Sequence, residues 1–230
     1  MLLVLALLAQ QPDFEPLFRQ ALQQRELALG PQAPKTIASA RDLGLYLAGR
    51  GETAKAAPYL EAALTANTTA AATVLHNWAV AVEPNEPTLA ERLYRRALAI
   101  RRQALPALDI DLATTRLNLA GLLLARGDAQ AAQLAPAALA AFEKQLGPAD
   151  ARTGAACGIL GAILATKGNV AGAEQMFRRA LIIAEKAHGP RAPETASALE
   201  NLADLLGQTG RESAARPLLH RAQQIRAGAR

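Results

Sequence analysis

The sequence predicts an all-α fold of stacked helical pairs, and three observations carry that prediction. Apolar residues make up 51% of the 230 residues and aromatic residues only 3%. With Ala and Leu dominant and β-branched residues scarce, such a composition favours packed helices over sheets. An Ala-Leu pair recurs at Ala21-Leu22, Ala63-Leu64, Ala97-Leu98, Ala138-Leu139 and Ala180-Leu181, and as Ala222-Gln223, with spacings of 42, 34, 41, 42 and 42 residues. Gly51, Gly127, Gly168 and Gly210 each stand 30 residues after such an alanine. Two independent markers sharing one period of this length specify a solenoid of helix pairs.

The elements follow in order. Residues 1–11 form a separate N-terminal segment in which Leu2 to Ala9 is continuously apolar. Its length fits the core of a signal peptide, with export or a periplasmic location as the consequence. No Lys or Arg precedes it, however, and Leu7 is large for a cleavage site, so a helical N-terminal extension of a cytoplasmic protein stays open. Residues 12–230 read as a single repeat array. A lead helix over 12–29 places Phe14, Leu17, Phe18, Ala21 and Leu22 on one face and stops at Gly30-Pro31. Five helix pairs follow at about 35–66, 68–104, 110–145, 150–187 and 191–227. The extra residues of the long repeats fall at Leu29 to Pro34, Leu146-Gly147-Pro148 and His188 to Pro193, with a degenerate version at Leu105 to Leu108. These are turns, because Pro cannot continue a helix and Gly tolerates the reversal. Pro16, Pro58 and Pro217 each precede a marker alanine by five residues, which suggests a shared curvature.

On a helical wheel Leu199, Leu202, Ala203 and Leu206 cluster on one side, and Ser197, Glu200, Asn201, Asp204 and Gln208 on the other. The first set packs inward and the second lines a concave surface. One position breaks the pattern. Arg116 takes the core register of Leu75 and Leu199, beside apolar Leu117. Either that helix is rotated, or Arg116 lays its stem along the core and reaches water.

The repeating skeleton is Leu43-Gly44, Gly51, Ala56, Leu60, Ala63; then Leu119-Ala120, Gly127, Ala132; then Leu160-Gly161, Gly168, Ala173, Phe177, Ala180; then Leu202-Ala203, Gly210, Ala215, Leu219, Ala222. A looser copy has Trp78-Ala79, Asn85 in place of Gly, Ala90, Tyr94 and Ala97. These residues resemble tetratricopeptide repeats, most closely the long repeats of the kinesin-light-chain type. The resemblance covers about Pro12 to Arg226. It implies a right-handed α-α superhelical solenoid that acts as a non-catalytic protein–protein interaction scaffold, holding an extended peptide or partner helix in its concave groove.

The position before the pattern leucine carries Asp42, Asn77, Asn118, Ile159 and Asn201 in successive repeats. An amide side chain both donates to and accepts from a peptide backbone. Asn is also a poor helix former, so three mid-helix copies ask for a reason. In proteins the chain resembles, asparagines here contact bound peptide. Arg41, His76, Thr114, Ser197, Glu200 and Asp204 share the concave face and are candidates for specificity, with an ordinary solvated surface as the competing reading. The repeat with Ile159 also has Gly154, Gly158 and Gly161 thinning its first helix, which points to packing and an apolar pocket within the groove.

Other functions find less support. The formal charge is +5, but 20 acidic residues are interspersed with 25 basic ones. The pairs Arg95-Arg96, Arg101-Arg102 and Arg178-Arg179 lie beside Glu91, Glu174 and Glu185 without interleaved aromatics, so they read as solvated convex surface and no nucleic-acid partner is expected. Cys157, the single cysteine, reads as a small buried residue rather than a reactive thiol. His76, His188 and His220 have no metal-ligand spacing, no catalytic motif is present, and no cofactor is expected. No apolar run is long enough for a stable membrane span. Gln223, Gln224, Arg226 and Arg230 make a polar terminal face, yet no separate capping helix follows, which leaves self-association through the array ends open.

Overall fold

The computed structural model describes residues 13–31, 33–65 and 67–228. The Leu2–Ala9 segment lies outside the described residues. So does Arg230. Eleven helices are present among the described residues, and no strand: α1 Glu15–Leu29, α2 Pro34–Gly49, α3 Thr53–Thr65, α4 Thr69–Val82, α5 Pro87–Ala104, α6 Ile110–Ala125, α7 Ala131–Leu146, α8 Ala151–Thr166, α9 Val170–His188, α10 Pro193–Gln208 and α11 Glu212–Gly228. They fall in two compact units that divide after Ile100.

The turn within each pair explains the glycine marker. Gly51, Gly127, Gly168 and Gly210 have φ between 71° and 78°, a region that L-residues with a Cβ avoid. The next residue then donates its N–H back across the turn: Glu52 to Leu47, Asp128 to Leu123, Asn169 to Leu164 and Arg211 to Leu206, at 2.8–3.0 Å. This bond closes orphan carbonyls at the end of the first helix and forces a tight reversal. The turn between pairs is held differently. Thr153 and Thr195, both fully buried, donate Oγ1 to the carbonyls of Gly147 and Gly189 at 2.9 and 2.7 Å.

In the first unit α1 packs on α2, α2 on α3, and α4 lies against both α2 and α3. Phe18 meets the Tyr46 ring with centroids 5.1 Å apart. In the second unit each helix packs on the next, and α8 also touches α6 and α10. The first helices of successive pairs therefore form one layer and the second helices another. The core of this unit joins Leu117, Phe142, Cys157 and Ile183 across α6 to α9. A second cluster joins Phe177, Leu202, Leu206 and Ala215 across α9 to α11.

Two sequence expectations need correction. Pro16 sits in the first turn of α1, where its missing N–H disrupts nothing. The interior prolines are Pro58, Pro136 and Pro217, each sixth in its helix. Arg101 is not solvated but 3% exposed. It donates Nη1 to the Asp111 carbonyl at 2.9 Å and to the Thr115 hydroxyl, and burial lowers its pKa. Arg25 makes the same reach to Lys35 O and Ser39, so an arginine four residues past the marker alanine ties a second helix to the next first helix. Arg116 is half-buried, Leu117 beside it belongs to the core, and the Arg116 Nη1 donates to the Ala107 carbonyl at 2.8 Å.

Candidate functional site: the face of the first helices

In the second unit the exposed side of the first-helix layer carries an apolar cleft of about 360 Å³. Gly154 and Gly158 of α8 line it, and with Gly161 the three glycines act by two different routes. A Cβ on Gly154 would meet Ile183 Cγ2 at 2.8 Å, and one on Gly161 would meet the Phe177 ring at 2.8 Å. Both absences draw α9 tightly under α8. A Cβ on Gly158 would meet nothing within 4 Å. Its missing side chain leaves open space, and that space is the cleft floor. Ala151, Ala155, Ile159 and Ala162 complete the α8 side, Ala180, Ala184 and His188 of α9 and Leu124 of α6 also line the cleft, and Glu194, Ser197, Ala198 and Asn201 of α10 form the opposite wall. A second depression of about 240 Å³ continues along the same helices between Ala162, Ala165 and Thr166 on one side and Asn201, Asp204 and Gln208 on the other.

The residues expected on this face divide into free and engaged groups. Asn201 and Asp204 are exposed, make no hydrogen bond within the described residues and line these depressions. Ser197 also lines the cleft, but accepts a bond from Arg226 Nη2 at 3.0 Å. Glu200 turns away: Arg226 of α11 grips it through Nε at 3.1 Å and Nη2 at 2.8 Å. That bond lowers the Glu200 pKa. Asn118 is half-buried without a partner and does not line the cleft, and Thr114 donates its hydroxyl to Ile110 O of its own helix at 2.8 Å.

In the first unit Asn77 is exposed and unpartnered. Arg41 and Asp42 bond each other at 2.7 and 2.9 Å. His76 is corrected from a displayed residue to a buried one: it is 8% exposed and packs 5.5 Å from the Tyr94 ring. Sequence reasoning did not find Glu194. It lies seven residues, two helical turns, before Asn201, and that spacing was a usable signal. Cys157 is fully buried and burial raises its pKa, as expected of an inert thiol. Among the described residues no group of His, Cys, Asp and Glu could hold a metal ion, and no helix is long and apolar enough to cross a membrane.

A family model described as tetratricopeptide repeat matches residues 15–69 and 153–227, more than half of the chain. The chain belongs to the tetratricopeptide repeat family. Its all-α helical-pair fold is the tetratricopeptide type. Among solved structures, BtubC (BKLC) from P. vanneervenii superposes with a TM-score of 0.78 at 19% identity, over 94% of this chain and 90% of that one. The kinesin-light-chain repeat protein of Podosopora anserina, built of nearly identical TPR-like repeats, gives 0.67 at 21% identity, over 86% and 99%. MamA AMB-1 gives 0.55 at 20% identity, over 82% and 98%. At these identities the likeness is one of fold. A search of curated proteins finds no match. Tetratricopeptide repeats generally mediate protein–protein interaction and are typically non-catalytic.

Proposed function

We propose that the chain is a non-catalytic scaffold that holds an extended protein segment along the exposed side of its first helices. The observation that carries this reading is the pairing of an open apolar cleft with Asn201, an unpartnered amide on its wall. The apolar floor takes a side chain, while the amide donates to and accepts from the backbone of the same segment. Asn77 in the first unit and Asn118 in the second each offer the same amide chemistry at this register of their own repeat. Ser197 and Asp204 lie beside the segment, with Arg41, Asp42 and Thr114 available at the corresponding face of their helices. His76 and Glu200 act as supports and not as contacts.

The test is selection from a random 12-residue peptide library displayed on phage, followed by affinity measurements on the selected peptides. Gly158→Leu fills the cleft floor into open space, so the fold tolerates it while binding falls at least tenfold. Asn77→Ala/Asn118→Ala/Asn201→Ala keeps the helical circular-dichroism signal and weakens the same peptides. Peptides that bind both variants as well as wild type would sink the reading.

A second reading has its own observation. Leu17 is 60% exposed and Leu27 82% exposed on α1, although Leu93 in the register of Leu17 is 1% exposed. Such exposed apolar side chains on α1 favour self-association through that helix. Light scattering over a concentration series decides it, and an unchanging monomer mass removes it.

A further inference from the structure

The lining of the two depressions has a sign that runs against the rest of the molecule. The chain carries a formal charge of +5. Yet no lysine or arginine is among the described residues lining either depression, whereas Glu194 lines one and Asp204 the other. Both carboxylates are exposed and neither has an ion-pair or hydrogen-bond partner in the described structure. Of the cations close in sequence, Arg191 precedes α10 and lines a separate depression with Arg221 and Gln224. Arg226 is held by Glu200, Arg152 bonds Asp150, and Lys167 follows the C-terminal end of α8. His188, the remaining titratable side chain of the cleft lining, closes the C-terminal end of α9.

Glu194 and Asp204 are ten residues apart on α10, which is about 15 Å along the axis at about 1.5 Å per residue. Between them lie Asn201 and the apolar floor around Gly158. An extended chain advances about 3.3 Å per residue, so four or five residues cover the same span. We propose that the segment recognised here is basic–apolar–basic: one bulky apolar side chain seated over Gly158, with Lys or Arg about two residues to either side meeting Glu194 and Asp204. This rests on the groove reading above. Charge complementarity selects the occupant, because an acidic segment would set like charges together with no cation in the lining to offset them.

The phage selection tests this and separates its failure from that of the groove reading. Peptides are kept only if they bind wild type and lose at least tenfold on Gly158→Leu. The expected survivors carry Lys or Arg on both sides of a Leu, Met or Phe. Their synthetic forms should weaken at least tenfold on Glu194→Gln/Asp204→Asn, and several-fold between low and physiological salt. Both substituted residues are solvent-exposed and unpaired, and Glu194 stands in the first turn of α10, so only a small shift of the melting curve accompanies the loss. Cleft-dependent peptides that are acidic or uncharged, or that bind the double variant undiminished, overturn the basic–apolar–basic assignment and leave the groove reading standing. A selection that yields no cleft-dependent peptide overturns both.

Discussion

Gly158 and Gly161 are three positions apart on one helix and do opposite jobs. In Gly161 the hydrogen stands where a Cβ would press the Phe177 ring at 2.8 Å, so Gly161→Ala should destabilise by about 1–3 kcal/mol through overpacking. In Gly158 the hydrogen faces open space. Gly158→Ala should therefore stabilise by about 0.5–1 kcal/mol, the helix-propensity gain alone. Urea denaturation of both variants checks the pair, and the signs must differ. A sequence shows that three glycines thin this helix but not which of them faces a neighbour, because that depends on where Phe177 and Ile183 arrive from α9. The same limit explains His76 and Glu200. Each stands on the expected face of its own helix, but Tyr94 and Arg226, 18 and 26 residues later, decide its environment. Asn201 and Asp204 keep the exposure expected of them because no later residue among the described ones reaches their side chains.

At the level of elements, the turns and the ties between helices set the register of the repeats. Thr195→Val removes the Oγ1 donor to Gly189 O while keeping shape, and it should cost about 1–2 kcal/mol by leaving a carbonyl without its buried partner. Thermal unfolding measures it, and Thr153→Val should behave alike. Glu174 supplies a different tie. It accepts from Arg178 of its own helix at 2.8 Å and from Arg211, which immediately precedes α11, at 2.7 Å. Those bonds, Arg178 first and Arg211 next, lower its pKa from the ordinary 4.5. A depressed carboxylate contributes stability in full above its unfolded value and loses it as pH falls through the folded one. Melting temperature should therefore drop more steeply below pH 4.5 in wild type than in Glu174→Gln. These ties were only partly readable. The helices were visible from their periodicity and their Gly and Pro stops: the first pair, at about 35–66 by pattern, spans Pro34–Gly49 and Thr53–Thr65 in the structure. Arg101, by contrast, reads as surface beside its neighbouring charges, and only the 14-residue reach it shares with Arg25 reveals a buried lock.

At the level of the whole molecule, repeat architecture makes stability a matter of neighbours: each helix pair is stable largely through the pairs it touches. In the second unit this predicts a position-dependent response to equal chemistry. Phe142 is fully buried in a cluster that draws on α6, α7, α8 and α9. Ile225 is buried too, but its cluster involves only α10 and α11, with Leu181 alongside. Phe142→Ala should cost about 3–5 kcal/mol and raise amide exchange across α6 to α9 together. Ile225→Ala should fray α11 and the face of α10 beneath it, leaving α6 to α8 protected, because no later pair depends on α11 among the described residues. The fraying should also release Arg226 from Glu200 and Ser197, since the last turn of α11 carries that arginine. A freed Glu200 would add a third carboxylate beside Asn201. Ile225→Ala should accordingly bind a Lys-flanked peptide no more weakly than wild type despite its lower stability, whereas Phe142→Ala should lose binding along with the cleft. Hydrogen exchange and peptide titration on the two variants give that comparison directly.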